Sequence, residues 1–586
     1  MPGACRVRPC AAGAELDVAA VGENDPVHLA LVPTTSEAPG TSRWRTCPLH
    51  PDGSPAGPET VVDAAGLRAL ECDHPRWLMD SVARVYPALL AAGVTVERCH
   101  DVTSTERILL GREGQFSEPS SAAAVHARVS GLPVPRDPRA DPDPSQVGDQ
   151  PVLFDAGSTA APTVDPIRAL RTALPDQWSR IGADNPLRLL VAAESTSWLA
   201  AAEMGHLGLP WDVAEHDRLL TSALGARPAA GTRPSKLLAL ADRISQTFGF
   251  PVNPDSTVDL RNAFRRLGFD IESTRSWLLR GLDHPVVQPV LEYKELSRLY
   301  TANGWNWVAE WVRNGRLHSE FLPGGVVSGR WATGGGGGLQ IPRAIRAAAR
   351  ALPGYRLVVA DAAQLEPRVL AAVSGDLALQ AISARGDLYQ GLAADGFGGD
   401  RGRAKLAMLG AMYGQTSGEA GRLVASLRSR YPTAMDFLEG AARRGEAGAV
   451  VQSVLGRRSP RPSDAWHAVV AAGSDPTSGS AAERRAREYS KSWGRFTRNF
   501  VVQASAADWA SVWLSALRKQ LRSVPGAEMV FFQHDELVVH TPTGSAASVA
   551  ELARNAAEQA SDLVFPGSRV STPVRPLIVG SYADAK

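Results

Sequence analysis

The sequence predicts a multidomain α+β protein, and three observations carry that expectation. At 586 residues the chain exceeds one domain, since domains run about 100–200 residues. A Pro- and Asp-rich stretch over 131–165 holds too little apolar surface to order itself and reads as a linker. Beyond it, helical periodicity alternates with a few apolar strands near 355–362 and 527–542. Composition narrows the class. A formal charge of +1, with 44% hydrophobic and 21% charged residues, excludes a uniformly basic coat but permits a local basic groove. No run of about 18 uncharged apolar residues exists, so no membrane span is expected, and the first twenty residues lack the apolar core of a signal peptide. Five cysteines at 5, 10, 47, 72 and 99 form no CxxC pair, which argues against a zinc site or disulfide framework and for a reducing cytosol.

Taken in order, residues before the linker form one unit. A mainly helical stretch starts near 187, and LEYKELSRLYTANGWNWVAEWVRNG (291–315) keeps apolar residues at helical spacing, which predicts one long amphipathic helix. Five consecutive glycines at 334–338 are costly inside a helix or strand and predict a mobile loop. YRLVVADAAQLEPRVLAAVSGD (355–376) reads as strand, aspartate, helix. Further helical segments and basic loops run to about 500, and AEMVFFQHDELVVHTP (527–542) reads as a β-hairpin around a polar centre. No internal repeat is found.

Three segments carry chemistry. Asp361 follows an apolar strand, where a carboxylate can meet solvent and a cation; taken alone, a helix N-cap, which Asp also favours, is the alternative reading. Arg401, Lys405, Leu409 and Tyr413 fall at i, i+4, i+8 and i+12, along one helical face. Two cations, an apolar residue and an aromatic in that order suit a polyphosphate, a sugar and a base, although a solvated basic helix has the same spacing. His534, Asp535 and Glu536 sit at the hairpin centre, where two acids are poor turn chemistry and imply a cation partner; a plain polar turn is the alternative.

The ordered set is far more specific than its parts. DAAQLEPRVLAAVSGD (361–376), RGRAKLAMLGAMYGQ (401–415) and FFQHDELVV (531–539) resemble motifs A, B and C of the family A DNA polymerases. VVSGRWATGGGGGLQIP (326–342) is similar to the family's TGR…LQNIP segment, and GRFTRNFVVQASAADW (494–509) to its helix ending in QGTAAD. The resemblance covers roughly 187–586, and the whole chain looks most like the actinobacterial bifunctional 3′–5′ exonuclease/polymerase group.

The resemblance implies a right-hand polymerase of thumb, palm and fingers with an antiparallel palm sheet. It also implies an N-terminal ribonuclease H-like exonuclease-type α/β domain. The implied units are the exonuclease-like domain (1–130), linker (131–186), thumb (187–320), first palm part (321–385), fingers (386–490) and second palm part (491–586). It implies two divalent ions, Mg2+ with Mn2+ as a substitute, held by Asp361 and Asp535 in an in-line displacement. Arg401 and Lys405 would contact the triphosphate, with Lys405 also a general acid toward pyrophosphate. Tyr413 would lie near the templating base. Glu366 would lie under the sugar, with Leu409 and Gln364 also at the nucleotide. Glu536 would support the metal site. Arg330, Gln340, Arg495, Asn499, Gln503 and His534 would touch DNA. Implied partners are primer–template DNA and deoxynucleotides, for a cytoplasmic, nucleoid-associated monomer in replication or repair. Residues 401–500 carry 17 Lys and Arg against 8 Asp and Glu, the local excess a backbone-tracking surface needs.

Two departures stand out. Leu409 occupies a place where the family usually has Phe or Tyr, so no ring stacks on the sugar. The N-terminal unit lacks the family's proofreading acids. ELDVAAVGENDPVHLALVP (15–33) has no DxE, Arg84 stands near the second aspartate's place, and no Y-x3-D follows in 115–185. The expectation is a degenerate exonuclease fold without its metals; a working site rearranged onto Asp17, Asp73 and Asp101 is the competing reading. The length leaves no room for a 5′-nuclease module. Two other classes stay open: an inactive DNA-binding scaffold of this fold, and a single-subunit-type RNA polymerase, against which Glu366 and LQIP argue.

Overall fold

A computed structural model describes residues 28–34, 42–138, 164–229, 231–335, 341–414, 418–474, 479–533 and 535–585. The chain begins with a sheet in the order β3-β2-β1-β4-β5. These strands are β1 (His28–Pro33), β2 (Trp44–Leu49), β3 (Thr60–Val62), β4 (Arg76–Met79) and β5 (Arg98–Asp101). β1 runs antiparallel to β2 and parallel to β4. Its HLALVP run is apolar on both faces because both are covered. Leu29 and Leu31 pack with Trp44, Trp77 and Leu199, while Ala30 and Val32 pack with Leu78, Leu170 and Leu174. The helices here are α1 (Ala64–Glu71), α2 (Val82–Ala91), α3 (Val102–Glu113), α4 (Ala122–Val129) and α5 (Pro166–Ile181).

α5 corrects the linker expected over 131–186. Asp165 caps it by accepting from Arg168 N, and Pro166 opens its first turn, a favoured start. Ile167, Leu170 and Leu174 then bury against β1. Upstream, Asp137 accepts from the Ser120 and Ser121 amides at 2.8 Å, tying 132–138 to the start of α4. The Pro and Asp content that suggested a linker supplies caps at both places.

α6 (Asn185–Leu207) leads into a helical region: α7 (Val213–Leu224), α8 (Ser235–Phe248), α9 (Thr257–Arg266), α10 (Ser276–Leu279), α11 (Val287–Asn303) and α12 (Trp305–Trp311). The single helix expected over 291–315 is therefore two. The break is Gly304, where a Cβ would lie 2.2 Å from Tyr300 O. Only glycine lets the chain turn that closely, and an apolar spacing that continues across it hides the break. Short strands follow: β6 (Leu209–Pro210), β7 (Val312–Arg313), β8 (Arg316–Leu317), β9 (Glu320–Leu322) and β10 (Ala332–Gly335). β10 also corrects the glycine-loop expectation at its first two positions. Gly334 and Gly335 lie in a strand beside β9, and a Cβ on Gly335 would meet Trp311 at 2.1 Å. Residues 336–338 of the run lie outside the described residues.

The second large sheet is fully antiparallel in the order β12-β13-β11-β14. It comprises β11 (Tyr355–Ala362), β12 (Glu528–Gln533), β13 (Glu536–Pro542) and β14 (Val574–Val579). The expected hairpin is β12–β13. Between β11 and β12 lie α13 (Leu365–Ser374), α14 (Leu377–Ser383), α15 (Leu388–Gly396), α16 (Arg401–Tyr413), α17 (Gly418–Arg430), α18 (Pro432–Glu446), α19 (Asp464–Ser474) and the 42-residue α20 (Ser480–Leu521). α21 (Ala546–Val564) joins β13 to β14. One continuous core unites this sheet, α20, α21 and the helices from α6 onward other than α19. Among the described residues no helix is long and apolar enough to cross a membrane.

Candidate active site

Asp361 is the last residue but one of β11, directly opposite Glu536 of β13, and Asp535 is the residue before that strand. Ala362 N donates to Asp535 O at 2.9 Å, so the two aspartates emerge side by side from adjacent strand ends. Both are half-buried. Two carboxylates in that setting offer hard oxygen donors, the set that suits a divalent cation of the magnesium type. Glu536 is buried, 2% exposed, and accepts from the Tyr582 hydroxyl. Burial, then the Glu536 charge, raises the Tyr582 phenol above its ordinary range.

α16 lies across from these acids. Its cap is Asp400, which accepts from Arg403 N at 3.0 Å. Ala404, Ala407, Met408, Ala411 and Met412 bury one face, leaving Arg401, Lys405, Leu409 and Tyr413 on the other, as the spacing predicts. A pocket of about 170 Å³ is lined by Arg330, Gln364, Glu366, Tyr389, Leu409 and Asp535. Five of the ten lining residues (Arg330, Gln364, Glu366, Leu409 and Asp535) are ones the sequence singled out. Glu366 is held from two sides: Arg330 pairs with one carboxylate oxygen and the Tyr413 hydroxyl donates to the other at 3.1 Å. Burial and then the Glu366 charge push the Tyr413 phenol up.

Gln364 sits at φ +56°, an unusual conformation for a residue with a Cβ. Its amide oxygen accepts from Leu388 N at 2.8 Å, bridging the strand–helix junction to the start of α15. Arg368, 1% exposed, braces the same junction. It donates to Ala363 O at 3.0 Å, Ser571 O at 2.9 Å, Ser383 O at 2.5 Å and Gly386 O. Burial pulls its guanidinium down to about 10. Sequence reasoning missed Arg368, Tyr389 and Asp387. The last was legible as an N-cap before an apolar run, but its partner, Arg401, was not.

The other expected residues are placed as follows. Lys405 is exposed on α16. Arg401 is ion-paired with Asp387 at 3.0 Å. Arg495, Asn499 and Gln503 share one face of α20 by spacing. Arg495 is exposed, the Asn499 amide oxygen is buried with no hydrogen-bond partner, and Gln503 is half-buried. Gln340 and His534 lie outside the described residues.

The N-terminal acids are placed differently. Asp101 is 1% exposed, and its two oxygens accept from Val82 N and Ser104 N, both at 2.8 Å. It therefore caps α2 and α3 together, while burial pushes its carboxyl up to about 6. Asp73 is exposed on a turn, Arg84 pairs with Asp80 at 2.6 Å, and Asp17 lies outside the described residues.

A polymerase-type sheet carrying two aspartates, faced by a helix of cations and an aromatic, defines the class. Residues 232–575 match DNA polymerase family A, and the chain belongs to that family. It is 28% identical over 431 residues to the thermostable DNA polymerase I of Thermus thermophilus, covering 65% of this chain and 50% of that one. It is 26% identical over 415 residues to the Thermus aquaticus counterpart, covering 62% and 48%. The chain thus spans about half the length of the curated relatives it matches. Its fold is similar to the POL domain of Pol1 from M. smegmatis, solved in complex with DNA primer-template and dNTP. That match has a TM-score of 0.68 and 20% identity, and covers 96% of both chains.

Proposed function

We propose that this chain is a template-directed DNA polymerase that adds deoxynucleotides to a primer 3′-hydroxyl. The observation that carries the reading is one pocket uniting Asp535, Glu366 and Arg330 with Leu409 of α16. Asp361 and Asp535 would hold two divalent ions, Mg2+ by donor chemistry. When bound, these neutralise phosphate charge and lower the pKa of the attacking hydroxyl. Arg401 and Lys405 bind the triphosphate, and Lys405 gives its proton to the departing pyrophosphate. Glu366, pinned by Arg330 and Tyr413, lies under the sugar and excludes a 2′-hydroxyl. Glu536, buried against Tyr582, fixes the end of β13 rather than ligating metal. Arg495, Asn499 and Gln503 meet the duplex along α20. Little covalent chemistry is asked of the protein, so positioning and electrostatics supply the rate.

The helices before β9 are read as thumb, the antiparallel sheet as palm, and α15–α19 as fingers. The first sheet, with β2 antiparallel to a central β1, supports an exonuclease-like fold. Asp101 as a double helix cap and Arg84 at the missing acid's place support loss of proofreading. The test is primer extension with dNTPs or NTPs by wild type and Asp535→Ala, alongside a mismatched primer with Mg2+ and no nucleotide. Extension with dNTPs only, lost in the variant, and no 3′ shortening are expected. An inert wild type would leave the scaffold reading; extension with NTPs alone, the RNA polymerase reading. Metal-dependent shortening would restore proofreading.

A further inference from the structure

The cation at the start of α16 is already occupied by an anion. The Arg401 guanidinium donates twice to Asp387 Oδ2, from Nε at 3.2 Å and from a terminal nitrogen at 3.0 Å. Its carbon lies 5.5 Å from the Tyr389 ring centroid, a cation–π distance. Asp387 cannot swing freely. Its Oδ1 accepts from Gln390 N at 2.9 Å, capping α15, and the neighbouring Leu388 N donates to Gln364 at 2.8 Å. Burial is the largest influence and pushes this carboxyl up, but the Arg401 hydrogen bonds and charge together with the Gln390 amide outweigh it and hold it below the usual range. Asp387 therefore stays an anion at neutral pH, fixed against the helix end where a polyphosphate has to bind.

We propose that Asp387 is a positioning residue that holds Arg401 in reserve and competes with the incoming triphosphate for it. This rests on the polymerase reading above for the identity of the ligand, though the competition itself concerns only a polyphosphate anion. A guanidinium has five donors, so a phosphate can take those Asp387 leaves unused. Full engagement means exchanging one carboxylate partner for phosphate oxygens. Asp387 thus raises the nucleotide concentration needed for half-saturation and disfavours anions too weakly charged to displace it.

Asp387→Asn tests this cleanly, because Asn caps a helix as well as Asp and only the charge is lost. The probe is inorganic tripolyphosphate binding by calorimetry, read beside KM and kcat for one-nucleotide primer extension. The pair is partly exposed, so the expected gain is about two- to fivefold in tripolyphosphate affinity and a similar fall in KM, with kcat moving less. Asp387→Ser, a second good cap, should do the same, and both effects should vanish when Arg401 is Ala. Unchanged or weaker tripolyphosphate binding, or an equal effect without Arg401, overturns the proposal. A wild type that binds tripolyphosphate but extends no primer would sink the polymerase reading instead, and the tripolyphosphate comparison would still decide this one.

Discussion

Arg518 couples the N-terminal sheet to the rest of the molecule. It lies on α20 and is 5% exposed. Its guanidinium donates to both Glu203 oxygens, at 2.6 and 2.9 Å, and to the backbone oxygens of Val96 at 2.6 Å and Glu97 at 2.7 Å. Glu203 also accepts from the Tyr86 hydroxyl at 2.6 Å. Burial is the largest influence and would lower the Arg518 pKa, but the Glu203 charge and hydrogen bonds together outweigh it and raise it. Arg518→Met leaves a carboxylate and two carbonyls short of a donor. Breaking a buried pair from one side costs about 3–5 kcal/mol. Local opening around β5 should therefore become roughly 150- to 5,000-fold more frequent. Hydrogen–deuterium exchange of peptides covering 94–101 reads this directly. Arg518→Met with Glu203→Leu should recover much of the loss, since the stranded charge is then gone. A change below tenfold in the single variant, or a double variant as loose as the single one, would refute the reasoning.

Three other outcomes follow from the same geometry. Asp101 has a folded pKa of about 6, raised above its unfolded value, so its contribution favours folding at low pH and is lost as pH rises through about 6. The melting temperature of Asp101→Asn relative to wild type should climb between about pH 4 and 6 and then level, for a swing of about 3 kcal/mol; a flat difference contradicts the burial argument. Leu409→Phe restores a ring at the pocket and should change the ratio of dideoxy- or ribonucleotide to deoxynucleotide use by about two- to tenfold, measured by competitive incorporation. Gly304→Ala drives a Cβ to 2.2 Å from Tyr300 O and should cost about 1–3 kcal/mol in chemical denaturation.

Local pattern made much of the site legible. An apolar run ending in Asp361 has to be a strand with a carboxylate at its mouth, and a four-residue spacing has to put Arg401, Lys405, Leu409 and Tyr413 on one face. What stayed hidden depends on distant partners. α5 looked like linker because its Asp and Pro serve as a cap and a first turn, a role visible only once β1 offers Ile167 and Leu170 a surface. Gly334 and Gly335 looked like loop because nothing local reveals Trp311 above them. Asp387, Arg368 and Arg518 act through residues 14, 203 and 421 positions away, beyond any periodicity.

The most direct measurement of the central claim is the single-turnover rate of one-nucleotide addition at saturating primer–template, for wild type, Asp361→Ala and Asp535→Ala, with duplex affinity measured in parallel. If Asp361 and Asp535 hold the cations as proposed, losing either carboxylate should remove several kcal/mol of transition-state stabilisation, about 1,000-fold or more in rate. Duplex affinity should change only a few-fold, because the proposed reading assigns backbone binding to α20 and the basic segment instead. Near-normal rates in either variant, or duplex binding that falls as steeply as the rate, would contradict the account.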